Sequence, residues 1–240
     1  MPSTRASRQF EGLIVSNRPG SGSDSFVDIF SPDYGIVGVV AKGARASKKR
    51  FAGGLDVATI GRSVAEDSGK LLWRLDSMSV LFQPLSLRSD LDWLTSLSLM
   101  VEAIHITSAA GQPEPALYTK VRDAIVMLDA GAVENAASIW RDILVFGGLM
   151  TPERSCERCG AKPYSHASFA PPRLSCSSCA PSNAELLPAL FIEEEARTQS
   201  LDETELRTAF LLLERFFAKW FERTSGTQLK SVRLLSKLGG

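Results

Sequence analysis

Apolar and polar positions change their period once along this 240-residue chain, near Pro84. Before it, short runs alternate with a period of two, as strands with one buried face do. The first three runs are Glu11–Ser16, Ser25–Ser31 and Ile36–Lys42. The Gly-, Pro- and Ser-dense segment NRPGSGSD (17–24) and the turn Pro32–Gly35 separate them. Leu13 and Val15 alternate with Gly12 and Ile14, and Phe26, Asp28 and Phe30 with Val27 and Ile29. Leu55–Val64 and Lys70–Val80 add two more strands, joined by the polar turn Ala65–Gly69. Five short strands within about 75 residues predict a small barrel, and the OB-fold is the five-stranded solution that meets nucleic acid.

Beyond Pro84 the period becomes helical. Leu91, Leu94, Leu97, Val101 and Ile104 recur at three and four, with Ser89 as N-cap and Asp92 three residues on. Gly111-Gln112-Pro113 stops this helix. Two more are expected over Pro115–Ala130, ending at Gly131, and over Val133–Phe146, ending at Gly147-Gly148. A last long helix starts at a capping box built from Ser200 or Asp202 with Glu203 or Glu205. Leu206, Phe210, Leu213, Phe217 and Trp220 form its apolar face. Residues 1–9 read as a flexible basic arm, and 228–238 as a short basic amphipathic tail. The expected fold is therefore α+β and multidomain. A five-stranded OB-fold barrel occupies 1–83, an α-helical domain 84–150 and 183–240, and a cysteine-bearing insertion 151–182.

That insertion carries all four cysteines, Cys156, Cys159, Cys176 and Cys179, spaced C-x2-C-x16-C-x2-C. Two residues between paired cysteines let one knuckle turn aim both thiolates at a single ion, and the intervening loop brings the second pair round to complete a tetrahedron. Gly160 can adopt the positive φ that such a knuckle uses. The reading is one structural Zn2+ in a four-cysteine zinc finger, with no open coordination position for catalysis. An iron–sulfur cluster takes the same four thiolates, and His166, between the knuckles, is a substitute ligand or a polar loop residue.

Composition is that of an ordinary globular protein, 44% hydrophobic and 22% charged, with zero formal net charge. Charge is nevertheless segregated. Residues 1–50 hold eight Lys/Arg against four Asp/Glu, a net of +4, and residues 215–240 six against one, a net of +5. Lys42, Arg45, Lys48, Lys49 and Arg50 fall within nine residues, with Gly43, Ala44, Ala46 and Ser47 between them. Such a loop can contact several phosphates, with Arg18 on the neighbouring loop; the plainer alternative is a solvated charged loop. Phe26, Phe30 and Tyr34 read equally as stacking, core or turn residues. No export-type apolar run opens the sequence and no stretch of ~18 apolar residues occurs, so a cytoplasmic protein with reduced cysteines and no membrane partner is expected. No Walker A, G-x-S-x-G or H-E-x-x-H motif is present, and His105 reads as a helix-face residue, so no catalytic set emerges.

The segment FEGLIVSNRPGSGSDSFVDIFSPDYGIVGVVAKGAR resembles the opening hallmark of the RecO family of DNA repair proteins. The order is the same: a G-x-V/I strand, a Gly-Ser-Asp loop, a second strand, and then A-K-G-A-R. The cysteine pairs between helices are similar to those of zinc-bearing members, and Leu229–Arg233 resembles the family's closing basic segment. The chain departs from the pattern at Gly22, where many members carry an acid, and in ASKKR after the hallmark. The resemblance implies an OB domain, a helical domain and an interposed zinc finger, with no bond chemistry. It further implies binding to single- and double-stranded DNA, strand annealing, and work with RecR, and in many systems RecF, to load RecA onto DNA covered by single-strand-binding protein. The acidic C-terminal tail of that protein would dock on the helical domain. Rival expectations are a zinc-ribbon protein-interaction scaffold and an OB-fold RNA-binding protein; a zinc hydrolase conflicts with the closed four-thiolate site.

Overall fold

The computed structural model describes residues 6–47, 49–51, 53–67, 69–192 and 202–232. Two compact units divide the chain, Met1–Asp123 and Ala124–Gly240.

The first unit is built on five strands: β1 (Ala6–Pro19), β2 (Ser25–Ser31), β3 (Gly35–Ala41), β4 (Ile60–Asp67) and β5 (Trp73–Phe82). They close into a barrel in the order β1-β2-β3-β5-β4. β1 is long enough to serve two neighbours. Its first half pairs with β4 and its second half with β2, both antiparallel. Closure depends on a short parallel contact, Val39↔Trp73 and Val40↔Arg74, between β3 and β5. Phe10, Ile14, Val27, Ile29, Val39 and Leu75 fill the interior. Tyr34 and Trp73 pack against it, and Phe10, Tyr34 and Trp73 meet edge to face at 5.2–5.8 Å between centroids.

Strand existence was legible in the sequence, and strand ends, except those of β2, were not. β2 matches its expected bounds. The arm expected over 1–9 becomes strand at Ala6, because its partner Asp67 lies 61 residues away and no local pattern announces it. Residues 1–5 lie outside the description. The strand expected over Leu55–Val64 begins only at Ile60. Upstream of it Ala58 has φ 66° and donates to Ile14 O at 2.8 Å, so the chain turns there. Ala65–Asp67, expected as turn, continue β4. Alternation also fails along β1, where Leu13, Ile14 and Val15 are all buried. A bulge between Ile14 and Ser16 and the helix packed on β1 cover both faces.

That helix is α2 (Leu91–Thr107), which follows the single turn α1 (Leu85–Arg88). Its N-cap is Asp90 rather than Ser89, with the carboxylate accepting from Asp92 N and Trp93 N. Of its expected face, Leu97, Val101 and Ile104 are buried while Leu91 and Leu94 are exposed, and Thr95, Ser96, Leu99 and Met100 are buried in addition. The hydroxyls tolerate burial because Thr95 and Ser96 donate to the carbonyls four residues back, at 2.8 and 3.1 Å. α3 (Pro115–Asp129) begins in this unit, and its buried Tyr118 donates to Glu11 Oε1 at 3.0 Å. Burial and the adjacent carboxylate push the Tyr118 hydroxyl well above its ordinary pKa, so it remains a donor.

In the second unit the expected Val133–Phe146 helix is split at Ala137 into α4 (Val133–Ala136) and α5 (Ser138–Phe146). Strands β6 (His166–Phe169), β7 (Pro172–Ser175) and β8 (Glu185–Leu186) form a three-stranded sheet. α6 (Ala189–Ile192) and α7 (Glu203–Ser225) complete the unit. α7 starts at the expected capping box, formed by Asp202 and Glu205, and stops at Gly226 with φ 70°. Ser200 lies outside the described residues, as do 233–238 of the basic tail. Phe210, Leu213, Phe217 and Trp220 are buried as the pattern required, and Trp140 packs on Phe217 at 4.7 Å. Among the described residues no helix is long and apolar enough to cross a membrane.

Two glycines give a paired stability prediction. Gly35 and Gly22 both have left-handed φ, 64° and 56°. A Cβ at Gly35 would overlap the carbonyl oxygens of Ala109 and Gln112, whereas at Gly22 it would meet nothing within 4 Å. Gly22→Ala is expected to cost about 1 kcal/mol, from backbone strain alone. Gly35→Ala should cost at least ~3 kcal/mol, because rigid backbone must also move. Urea unfolding midpoints would measure both.

Candidate metal centre and nucleic-acid interface

The cysteine segment folds as two knuckles flanking the β6–β7 hairpin. In the first, Gly160 N donates to Cys156 O and Cys156 N to Ala161 O, both at 2.8 Å, with Gly160 at φ 74°. In the second, Cys179 N donates to Cys176 O at 3.1 Å. Glu157 ties the first knuckle to the hairpin, its amide donating to Leu174 O and its carboxylate accepting from Leu174 N, both at 3.1 Å. The hairpin rests on α7 through Phe169, whose ring lies 5.9 Å from Phe216 and 6.0 Å from Trp220.

These supports bring the four sulfurs within 4.8 Å of one another, with Cys159 and Cys176 Sγ 3.7 Å apart. A tetrahedron of ~2.3 Å metal–sulfur bonds has edges of about 3.8 Å. The cluster therefore fits one tetrahedral ion. It is too tight for an iron–sulfur cluster, whose four thiolates are divided between two irons or spread over four. His166 is not a ligand: it lies on β6 with Nδ1 2.8 Å from Ser165 Oγ. The donor set is ready for a cation. Backbone donation around Cys176 holds the Cys156 thiol down at about 6, and hydrogen bonding to Cys159 pushes Cys179 up to about 12. One site is thus an easy thiolate while another keeps its proton until a metal displaces it. Metal uptake should release protons, and affinity should fall as pH falls from 8 to 6. Cys176→Ser should lower bound metal below one ion per chain, as read by elemental analysis, and lower the melting temperature.

The basic loop leaves β3 at Lys42. Gly43 turns the chain at φ 64°, and Ala44–Ala46 make one 3-10 turn. The expected cations separate into two kinds. Arg45 and Arg50 hold backbone carbonyls: Arg45 donates to Gly22 O and, at 3.5 Å, to Gly20 O, and Arg50 to Lys42 O. Arg50 also lies 4.9 Å from the Phe51 ring centroid. Lys42 and Lys49 are exposed, and their side-chain ammonium groups have no hydrogen bond or ion pair among the described residues. Lys48 lies outside the described residues. Arg18 stands on β1, not on a loop, and pairs with Asp28 at 3.0 Å with its side chain 65% exposed.

A clamp that the sequence reading missed joins the two loops. Gly43 N donates to Asp24 Oδ1 at 2.7 Å, and Arg45 N to Ser23 O at 3.0 Å. The Gly-Ser-Asp loop and the A-K-G-A-R loop are therefore one bonded structure. An aspartate closing a glycine-rich loop was the available signal, since such side chains bond turn amides. Asp28 was also missed as a junction. It lies 3.2 Å from His105 Nε2, so His105, expected only as a helix-face residue, ties α2 to β2.

Residues 6–83 match the family model described as "Recombination protein O N terminal". This match and several similar proteins support the RecO family. Proteins named DNA repair protein RecO from two myxobacterial genera are similar to it. One from Anaeromyxobacter sp. (strain K) is 33% identical over 62% of this chain, and the match spans 60% of that relative's own length. One from Myxococcus xanthus is 28% identical over 95% of this chain and 97% of its own. A third, from Koribacter versatilis, is 26% identical over 96% and 99%. The family-model match ends at residue 83, where strand gives way to helix.

Proposed function

We propose that this protein is a non-catalytic DNA repair mediator, cytoplasmic and associated with the nucleoid. It binds single- and double-stranded DNA and anneals complementary strands. With RecR, and RecF where present, it helps load RecA onto DNA coated by single-strand-binding protein. The barrel is read as an OB-fold, on its strand order and the parallel β3–β5 closure. In this reading 1–83 is the DNA-binding domain, 84–150 with 183–240 the helical domain that receives the acidic tail of single-strand-binding protein, and 151–182 a zinc finger.

The observation that carries the reading is the clamped basic loop. Annealing requires neutralised phosphates with base edges left free, and cations on a fixed loop do that. Lys42, Lys48 and Lys49 supply phosphate contacts, while Arg18, Arg45 and Arg50 combine contact with bracing. The four cysteines hold one Zn2+, which supplies a crosslink between the two knuckles. The chain's own part is to present four thiolates on the two knuckles that flank the β6–β7 hairpin.

The test is DNA affinity as a function of salt. Lys42→Ala/Lys49→Ala should weaken single-strand and duplex binding alike and reduce the log–log salt slope by about two, one per lost contact. Arg45→Ala should weaken binding and also release the loop, seen as faster amide exchange at Gly43. An unchanged slope in the lysine variant would refute the loop assignment. A strong preference for RNA over DNA of equal length would favour an RNA-binding role.

A further inference from the structure

A groove of about 450 Å³ opens on the outward face of the barrel. Ile36 and Gly38 of β3 form its floor, Leu71, Leu72 and Trp73 one wall, and Arg18 with Asp28 one end. We propose that this groove takes one unpaired base of a single strand that continues onto the basic loop. The inference rests on reading the barrel as a nucleic-acid surface, and it adds a site that distinguishes single strands from duplex.

Strand parity places the groove on the same face as the cations. Gly35, Val37, Val39 and Ala41 are buried inward, so Ile36, Gly38 and Val40 point outward. Lys42 follows four residues after Gly38, about 13 Å along the strand at ~3.3 Å per residue. Across the sheet, Val40 is opposite Phe26, and Phe26 is opposite Arg18. Phe26 is 37% exposed, unlike the buried Phe30. A strand leaving the groove thus meets a guanidinium, an open aromatic ring and then the clamped loop.

The walls suit a base. Leu71 is 90% exposed at the β4–β5 turn, an unusual position for a leucine with no partner to cover. Trp73 and Tyr34 are half-buried, with part of each ring toward the cavity. The floor is bare because residue 38 is glycine: a Cβ there would lie 2.9 Å from Leu72 Cδ2 and 3.5 Å from Asp28 Oδ1. Asp28 Oδ1 therefore faces the floor, beside the Arg18 donor, so the groove end offers an acceptor and a donor to a base edge. Asp28 also disfavours an acidic peptide, and bases stacked inside a duplex cannot enter a slot of this kind. Apolar walls, a polar end and flanking cations together match a nucleotide.

Two variants test this by fluorescence anisotropy, with a dT oligomer and a blunt duplex carrying equal numbers of phosphates. Gly38→Val fills the floor, and Leu71→Ser removes the wall at a position too exposed to affect folding. Each should weaken dT binding about tenfold, the scale of one lost stacking contact, and leave duplex binding within twofold. Equal losses for both probes, or no loss for either, would overturn the proposal. So would displacement of the dT oligomer from wild type, but not from Leu71→Ser, by a peptide ending in apolar residues. The lysine variant separates the two levels of the argument. If Lys42→Ala/Lys49→Ala weakens both probes while the groove variants change nothing, the groove assignment alone fails; if wild type binds neither probe, the nucleic-acid reading fails with it.

Discussion

The amide of Gly43 donates to the carboxylate of Asp24, and the position of the basic loop follows from that bond. Without it, five cations within nine residues would repel one another and extend into solvent. The charged acceptor makes this hydrogen bond stronger than a neutral one. Arg45 adds to it by donating to the carbonyls of the facing loop. Two loops that would each be mobile become one surface at the end of the barrel. The proposed phosphate contacts depend on that surface having a fixed shape.

The candidate metal centre has different causes. It lies in the other compact unit, where two knuckles and a hairpin gather four sulfurs that a small sheet could not gather unaided. An ion held there would be closed to substrate, since four thiolates complete a tetrahedron. The β6–β7 hairpin reaches the core of its unit through Phe169 against Phe216 and Trp220. Loss of the ion should therefore be felt first as lost stability of the ribbon. Its influence on DNA would be indirect.

How much the sequence disclosed depended on how local each cause was. β2 was found to the residue because Gly-rich and Pro-containing turns bound it on both sides. The capping box at Asp202 and the aromatic face of α7 were equally local. The start of β1 was hidden because only the distant β4 stabilises it. Part of the α2 face was missed because buried Thr95 and Ser96 satisfy their hydroxyls on their own helix and so pack as apolar residues do. In the site, the four cysteines were legible from spacing alone. The roles of the arginines were not: in a basic loop an arginine that braces carbonyls has the same signature as one that waits for phosphate. Asp24 was overlooked because a polar residue in a polar loop stands out only when its partner is known.

The central claim is that a clamped cationic surface on the barrel brings two strands together without bond chemistry. Strand annealing tests it most directly, with complementary oligonucleotides precoated with single-strand-binding protein, with and without RecR. The account predicts annealing by the wild-type chain without any nucleotide cofactor, and a large loss in Asp24→Ala, which keeps every cation but frees the loop. Full annealing by Asp24→Ala, or none by the wild-type chain, would contradict it.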